Sequence, residues 1–314
     1  MTQRTIESAV AVLKDRGRDV PSPDVVLNRI RETRAADLVR LFTPCLETVF
    51  REAKKRRLLR GPKRVAVDIH EKPFYGEAPG TVRGQARQGT TWFWAYMSLD
   101  IVQDGCRYTL AALPLTDKRK AAELVEALLR YAARWVRVGV VLLDRFFYRS
   151  DIMRIIEGLG LDWVMAARAS GRLRRQAGQA RKEGRPCFRY TMNPEKESQA
   201  SFHVFTVLAK DGLHFFASSR EGRRLRYWAD VYRGRWGIDA GYRVKRGFRA
   251  RTAVRCMYVR LFLFLLSVLL QDVWELMGRG GVGVSADLFR DRLVRLVLGE
   301  LQMGVHSLFL EAPG

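Results

Sequence analysis

Residues 138–144 read Val-Gly-Val-Val-Leu-Leu-Asp, an apolar run that ends directly in an acid. A short continuous run of this kind is typical of a strand buried on both faces of a sheet. Residues 65–69, Val-Ala-Val-Asp-Ile, repeat the pattern. An acid at the end of a buried strand is costly unless it is paired, protonated or bound to a cation. We therefore expect Asp68 and Asp144 to end adjacent strands and to hold Mg²⁺ there; alternatively, both are turn formers or helix caps.

The patterns around these runs predict an α/β fold with a mixed sheet flanked by helices. The aromatic-rich residues 90–115 predict two strands joined by a turn at Asp104-Gly105. Apolar periodicity predicts helices at 118–137, 150–160, 223–247, 253–277 and 286–301, a strand at 161–167, and strands at 201–208 and 213–217. By these patterns the chain divides into a helical N-terminal region and candidate DNA binder (1–60), a core (61–169 and 220–278), a β-rich insertion (170–219) and a helical C-terminal region (279–314).

The charge balance points to a polyanionic partner. The chain has 56 Lys and Arg against 33 Asp and Glu, a formal net charge of +23. The basic residues cluster at 51–64 and 168–185, and such excess charge is typical of proteins that bind nucleic acid. The alternative is an arginine-rich genome that places Arg on every solvated surface.

The sequence also favours a cytoplasmic location without a membrane span. Its longest apolar run, residues 261–270, is about half of what a bilayer requires and predicts a buried helix. The N-terminus has no secretory pattern. The four cysteines are scattered, without a CxxC pair, which fits a reducing cytosol and argues against a thiolate metal site.

The helix predicted at 223–247 gathers polar side chains on one face. At about 100° per residue, Tyr232, Arg235, Asp239 and Arg246 fall within a stripe about 60° wide. Glycines occupy the opposite face at 234, 237 and 241, where each costs about 1 kcal/mol of helix propensity. We expect the glycine face to pack closely against another element and the polar face to meet a ligand. The alternative is a solvent-exposed helix with an ordinary ion pair between Arg235 and Asp239.

Three segments of the chain resemble the acidic motifs of DDE transposases of prokaryotic insertion sequences, and most of all the insertion sequence 4 superfamily. They are residues 68–76 (Asp-Ile-His-Glu-Lys-Pro-Phe-Tyr-Gly), 143–148 (Leu-Asp-Arg-Phe-Phe-Tyr) and 232–243 (Tyr-Arg-Gly-Arg-Trp-Gly-Ile-Asp-Ala-Gly-Tyr-Arg). The third family motif is Tyr, two residues, Arg, three residues, Glu, six residues, Lys. Its positions are Tyr232, Arg235, Asp239 and Arg246 here. The sequence departs from the family in having Asp239 for the glutamate and Arg246, next to Lys245, for the lysine.

The resemblance implies a ribonuclease H-like catalytic domain in which Asp68, Asp144 and Asp239 are the catalytic metal ligands. They would share two Mg²⁺ or Mn²⁺ ions and support cleavage at element ends by phosphodiester hydrolysis, then strand transfer into target DNA by transesterification. The resemblance also implies double-stranded DNA as partner and a synaptic homodimer associated with the nucleoid.

The same resemblance implies DNA contacts outside the acids. Those residues are Tyr232, Arg235, Lys245 and Arg246, with Trp228 as a platform for an unpaired base. Tyr232 and Trp228 are alternatively packing aromatics. Two other functions stay open: a catalytically decayed or repurposed DNA-binding protein, since Asp239 is one methylene shorter than glutamate, and a nuclease that cuts without regard to element ends.

Overall fold

The computed structural model describes residues 6–103, 105–185, 187–209, 212–221, 230–236, 245–250, 252, 254–278 and 285–297. The chain divides into two compact units. The sheet unit contains residues 59–106 and 110–238, and the helical unit contains residues 1–58, 107–109 and 239–314. The division into domains expected from the sequence pattern, with residues 220–278 in the core, stays a prediction.

A nine-stranded mixed sheet forms the sheet unit. Its strands are β1 (Pro62–Phe74), β2 (Val82–Arg87), β3 (Thr90–Ile101), β4 (Thr109–Pro114), β5 (Arg137–Leu143), β6 (Trp163–Ala166), β7 (Cys187–Met192), β8 (Ala200–Ala209) and β9 (Gly212–Ser218). Their order is β2-β3-β1-β5-β6-β9-β8-β7, and β4 pairs with β3. Strands β1, β5 and β6 run parallel, whereas β3 is antiparallel to β1 and β2, and β6, β9, β8 and β7 are antiparallel in turn.

Amphipathic helices pack on this sheet. The described ones are α4 (Ala121–Ala133), α5 (Ser150–Gly158) and α6 (Gly171–Lys182). Helix α4 buries Val125, Leu129 and Ala132 at i, i+4 and i+7, the spacing that places apolar residues on one face. It contacts β3 and β5. The predicted α/β class, a mixed sheet flanked by helices, is confirmed.

Strand β1 is longer than the sequence predicted. The apolar run at 65–69 predicts a strand that ends near Asp68, but β1 continues to Phe74, which pairs with Trp92 of β3. The polar residues 70–72 and Pro73 are half-buried, and their backbone pairs with the antiparallel strand β3. Asp68 therefore lies inside β1, and the expectation that it ends the strand is wrong.

The β-rich segment at 170–219 continues the sheet. The strands predicted at 201–208 and 213–217 are confirmed as β8 and β9, and β9 pairs with β6 through Val164 and Ser218. The segment also contains helix α6, which periodicity did not predict because its buried positions are mostly alanine. Three strands thus extend the core sheet rather than forming a body of their own.

The continuous helix predicted at 223–247 is only partly described. Residues 230–233 and 245–247 are α-helical, whereas Gly234–Trp236 form a 3₁₀ turn. In a 3₁₀ turn successive side chains are about 120° apart. The spacing of about 100° per residue that the helix prediction assumes therefore does not hold at Gly234–Trp236. A Cβ on Gly234 would contact the Val102 carbonyl oxygen at 3.6 Å, an ordinary distance that an alanine would tolerate.

In the helical unit, the helices α1 (Ile6–Asp15), α2 (Pro23–Glu32), α3 (Ala35–Lys55), α7 (Met257–Gly278) and α8 (Ala286–Val297) are described. Leu27 and Ile30 of α2 pack with Val259 and Leu263 of α7. Helix α7 is long and apolar enough to cross a membrane by length and composition. Over half of its most apolar stretch is buried, as in a core helix, and it also buries Asp272, which accepts the Thr109 backbone N–H at 2.9 Å.

Candidate active site

Asp68 and Asp144 lie at equal heights on neighbouring parallel strands. Val67 of β1 pairs with Leu143, the last residue of β5, so the next residue on each side is an aspartate. Adjacent strands are about 4.8 Å apart, which brings the two acids together. Strand β5 ends at Leu143, whereas β1 continues to Phe74. The two acids therefore meet where β5 ends.

A short 3₁₀ turn positions Asp144. The acid is the N-cap of the turn Arg145–Phe147, and its Oδ1 accepts the backbone N–H of Phe146 at 2.8 Å. The cap that the sequence allowed as an alternative function of Asp144 is thus realised. Burial raises the pKa of Asp144 above its ordinary value, and the Phe146 N–H and the charges of Arg235 and Arg168 offset this only in part.

Arg235 supplies positive charge to both acids. Its Nη1 lies 3.4 Å from Oδ1 of Asp68, and the two side chains are 18% and 14% exposed. Burial disfavours the charged guanidinium, but Tyr232, Asp68 and Asp144 raise the pKa of Arg235 above its ordinary value. Its Nε is buried without a hydrogen-bond partner among the described residues. Arg235 is therefore a permanent cation held beside the two acids.

Tyr232 is half-buried in the structure. Its ring lies 4.9 Å from that of Phe216, centroid to centroid, and the Arg235 guanidinium carbon is 5.8 Å from its ring centroid. Burial raises the pKa of Tyr232. The packing aromatic that the sequence allowed as an alternative matches these contacts, and a DNA contact by Tyr232 stays a prediction.

The other sequence-predicted site residues lie outside the described residues or in the helical unit. Asp239 and Trp228 lie outside the described residues. Lys245 and Arg246 belong to the helical unit, where Lys245 is 3% exposed and Arg246 is exposed. Their predicted roles stay predictions.

Sequence reasoning missed a polar pair beside Asp68. Ser98 of β3 is the cross-strand partner of Asp68, and its hydroxyl donates to Oδ2 of the buried Asp100 at 2.6 Å. The signal was present: residues 97–101, Met-Ser-Leu-Asp-Ile, alternate apolar and polar in a strand that is otherwise aromatic and apolar. Arg168 was also missed as an individual residue, although its charge offsets part of the rise that burial causes in the pKa of Asp144.

The donor chemistry of the two acids fits a divalent cation. Carboxylate oxygens are the ligands that Mg²⁺ and Mn²⁺ prefer, and both acids are largely buried. Within the described ranges, no group of three His, Cys, Asp or Glu side chains comes together in a way that could hold a metal. Asp68 and Asp144 thus offer two of the carboxylates that a metal site needs.

Replacing Asp144 by Asn should stabilise the metal-free protein at neutral pH. Burial raises the pKa of Asp144 in the folded protein above its value in the unfolded chain. The folded state is therefore destabilised as pH rises from the ordinary aspartate pKa of about 3.9 through the raised pKa. Asparagine removes the buried charge and keeps the acceptor for the Phe146 N–H. Thermal melting in EDTA should give a higher Tm for Asp144→Asn at pH 7, with the difference shrinking in acid. A lower Tm for Asp144→Asn at pH 7 would contradict the inference that the buried charge destabilises the metal-free protein. Asp144→Ala is the control, because it removes the same charge but also loses the cap, at a cost of about 1 kcal/mol.

Comparison with known proteins shows similarity to a solved structure and to no sequence family. No protein-family model matches the chain, and no curated protein matches it. Among solved structures, the chain is similar to a piggyBac transposase in a synaptic complex with hairpin DNA, determined by cryo-electron microscopy, with a TM-score of 0.51 over 85% of this chain and 12% sequence identity. The chain covers 63% of that transposase chain. The comparison thus shows a fold similar to that of this transposase, and the ribonuclease H-like and insertion sequence 4 assignments stay predictions.

Proposed function

We propose that this protein is a DNA transposase of the insertion sequence 4 type, which cleaves DNA at the ends of a prokaryotic mobile element and transfers the strands into target DNA. One observation carries the proposal: Asp68 and Asp144 follow a paired position on adjacent parallel strands, with Arg235 beside them. The transposase-like fold and the net charge of +23 support it.

Asp68, Asp144 and Asp239 would hold two Mg²⁺ or Mn²⁺ ions. When bound, such ions supply Lewis acidity to both ends of an in-line phosphoryl displacement. The protein itself supplies no nucleophile in this proposal. Its acids supply oxygen ligands, and the cap at Phe146 fixes one oxygen of Asp144 so that the carboxylate has a defined orientation before DNA arrives.

Arg235 has the chemistry to hold the phosphate that is to be cut. A guanidinium presents a planar fork of donors that fits phosphate oxygens, and the buried Nε of Arg235 has no partner among the described residues. In the protein alone, its charge balances Asp68. Tyr232, Lys245, Arg246 and Trp228 are proposed as further DNA contacts, and a homodimer that bridges two element ends is proposed as the working assembly.

A catalytically decayed or repurposed DNA-binding protein is the second candidate. The observation that favours it is Asp239, which stands where the family motif has glutamate and is one methylene shorter. A shorter ligand weakens a metal site unless the backbone lies closer. This candidate keeps the basic surface and DNA binding but lacks strand cleavage.

The test is strand cleavage by the full-length protein on linear DNA that carries the flanks of its own gene. We expect nicks at the boundary of inverted repeats with Mg²⁺ or Mn²⁺, and none in EDTA or on DNA with scrambled flanks. Binding without cleavage in either metal would support the decayed protein, and equal cleavage of scrambled DNA would support a nuclease. Asp239→Glu distinguishes the first two candidates further, since a decayed enzyme can regain activity through it.

A further inference from the structure

The outward face of helix α6 is strongly basic. Helix α6 contains no acid, and its exposed cations are Arg174, Arg175, Arg181 and Lys182. At about 100° per residue they span about 120° of the helix circumference. The residues that it buries are Leu173, Ala177 and Ala180. The helix thus packs by one side on the protein and presents a continuous cationic face to solvent.

The charge of this face is not compensated. Arg174, Arg175 and Arg181 form no ion pair within the described part of the chain. In the other basic cluster of the sequence, Lys55 and Arg56 share Glu52 as an ion-pair partner. Neighbouring unpaired cations repel one another, and such a surface fits a partner that supplies many negative charges.

The face begins beside the candidate active site. Ser170 caps α6 by accepting the Leu173 N–H at 3.1 Å. Two residues earlier, Nε of Arg168 donates at 3.3 Å to the carbonyl of Arg145, the residue after Asp144. Helix α6 is further anchored to β7 by Arg172, whose guanidinium carbon lies 4.9 Å from the Tyr190 ring centroid. The 12 residues of α6 extend for about 18 Å, the length of about five base pairs of duplex.

The composition of the face favours a nucleic acid over a membrane. Within those roughly 120° the other positions are Gly171 and Gly178, so the face offers no apolar side chain to insert into a bilayer. Gly178 lies between the cations, and apart from its chain neighbours and the adjoining backbone of its own helix, no atom lies within 4 Å of the place where its Cβ would be. A missing side chain at this position lets a phosphate backbone approach the helix closely.

We infer that the basic face of α6, Arg174, Arg175, Arg181 and Lys182, binds the phosphate backbone of double-stranded DNA next to the scissile position. The identity of the partner rests on the proposed function, but binding by this face does not require cleavage. The contacts are to phosphates, so they hold DNA without reading its sequence.

The test compares two triple variants, each made in the full chain with Asp144→Asn so that binding is measured without cutting. One carries R174Q, R175Q and R181Q on α6. The matched control carries R130Q, R134Q and R137Q, exposed arginines in α4, directly after it and at the beginning of β5, with the same change of charge. Affinity for a duplex of unrelated sequence is measured from about 50 to about 200 mM salt.

We expect the α6 variant to bind at least about tenfold more weakly. The slope of log K against log salt should be smaller by about 2 to 3, since each phosphate that the protein neutralises adds about 0.9 to it. The α4 variant should retain the affinity and slope of Asp144→Asn alone. Equal weakening in both variants, or in neither, overturns the inference. Two further results would overturn the inference: binding to vesicles containing phosphatidylserine that depends on the α6 arginines, or tighter binding to duplex RNA than to DNA.

Chemical modification keeps the inference testable if the α6 variant does not fold. Phenylglyoxal modifies exposed arginines, and mass spectrometry locates the products in the unsubstituted protein. Duplex DNA should protect Arg174, Arg175 and Arg181 but not Arg130. Equal modification with and without DNA overturns the inference. Absence of strand cleavage in the wild-type protein would remove the proposed function without affecting either result.

Discussion

Replacing Asp144 by Asn should lower the rate of DNA strand cleavage by about 10³-fold or more and leave DNA affinity almost unchanged. A neutral amide is a poor ligand for Mg²⁺, and loss of about 4 kcal/mol of transition-state stabilisation corresponds to a factor of about 10³. Asp68→Asn should have the same effect, because the two acids follow the paired residues Val67 and Leu143. Cleavage is measured on DNA labelled at the element end, and binding by gel shift.

A matched control separates this effect from a general loss of charge. Asp162 directly precedes β6, at the opposite end of the parallel strands, and accepts the Arg220 Nε at 2.6 Å. Asp162→Asn removes the same charge away from the site and should keep cleavage within about threefold, since exposed ion pairs contribute little. Retention of cleavage in Asp68→Asn or Asp144→Asn would remove both residues from the catalytic assignment.

The strand order around the two acids could be predicted in part. A run of apolar residues identifies a strand buried on both faces, which is why 138–143 predicted β5 closely. The meeting of Asp68 and Asp144 was expected because site residues gather where strands end. The parallel register that places them at equal heights depends on the pairing of β1 with β5, and no local pattern carries that information.

Other parts of the site could not be predicted because tertiary contacts override local preference. The second half of β1 is polar and half-buried, and its pairing with β3 sustains it. The helical wheel through Tyr232 and Arg235 assumed regular α-helix, but the chain tightens into a 3₁₀ turn at Gly234–Trp236. Arg235 nevertheless contacts Asp68. Its guanidinium also stays beside the Tyr232 ring, because residues three apart share one side of a 3₁₀ turn. The prediction for Asp239 concerns a residue outside the described ranges.

Phe202 provides the physical link between β7–β9 and the rest of the sheet. It is 2% exposed, and its ring centroid lies 5.7 to 5.8 Å from those of Tyr148, Trp163 and Tyr190. Trp163 lies on β6, and Tyr148 directly follows the 3₁₀ turn that Asp144 caps. One aromatic cluster therefore joins the added strands to the edge that carries the candidate site.

Phe202→Ala should accordingly lower the free energy of unfolding by about 3 to 5 kcal/mol, the usual cost of removing a buried phenyl group and leaving a cavity. Leu208→Ala, on the same strand but 67% exposed, should cost less than about 0.5 kcal/mol. Urea denaturation gives both values. Because the strands share one core, hydrogen exchange should show that amides of β5 and β6 lose protection together with those of β8. Loss of protection confined to β7–β9 would instead mean that the segment unfolds independently and does not support the Asp144 turn.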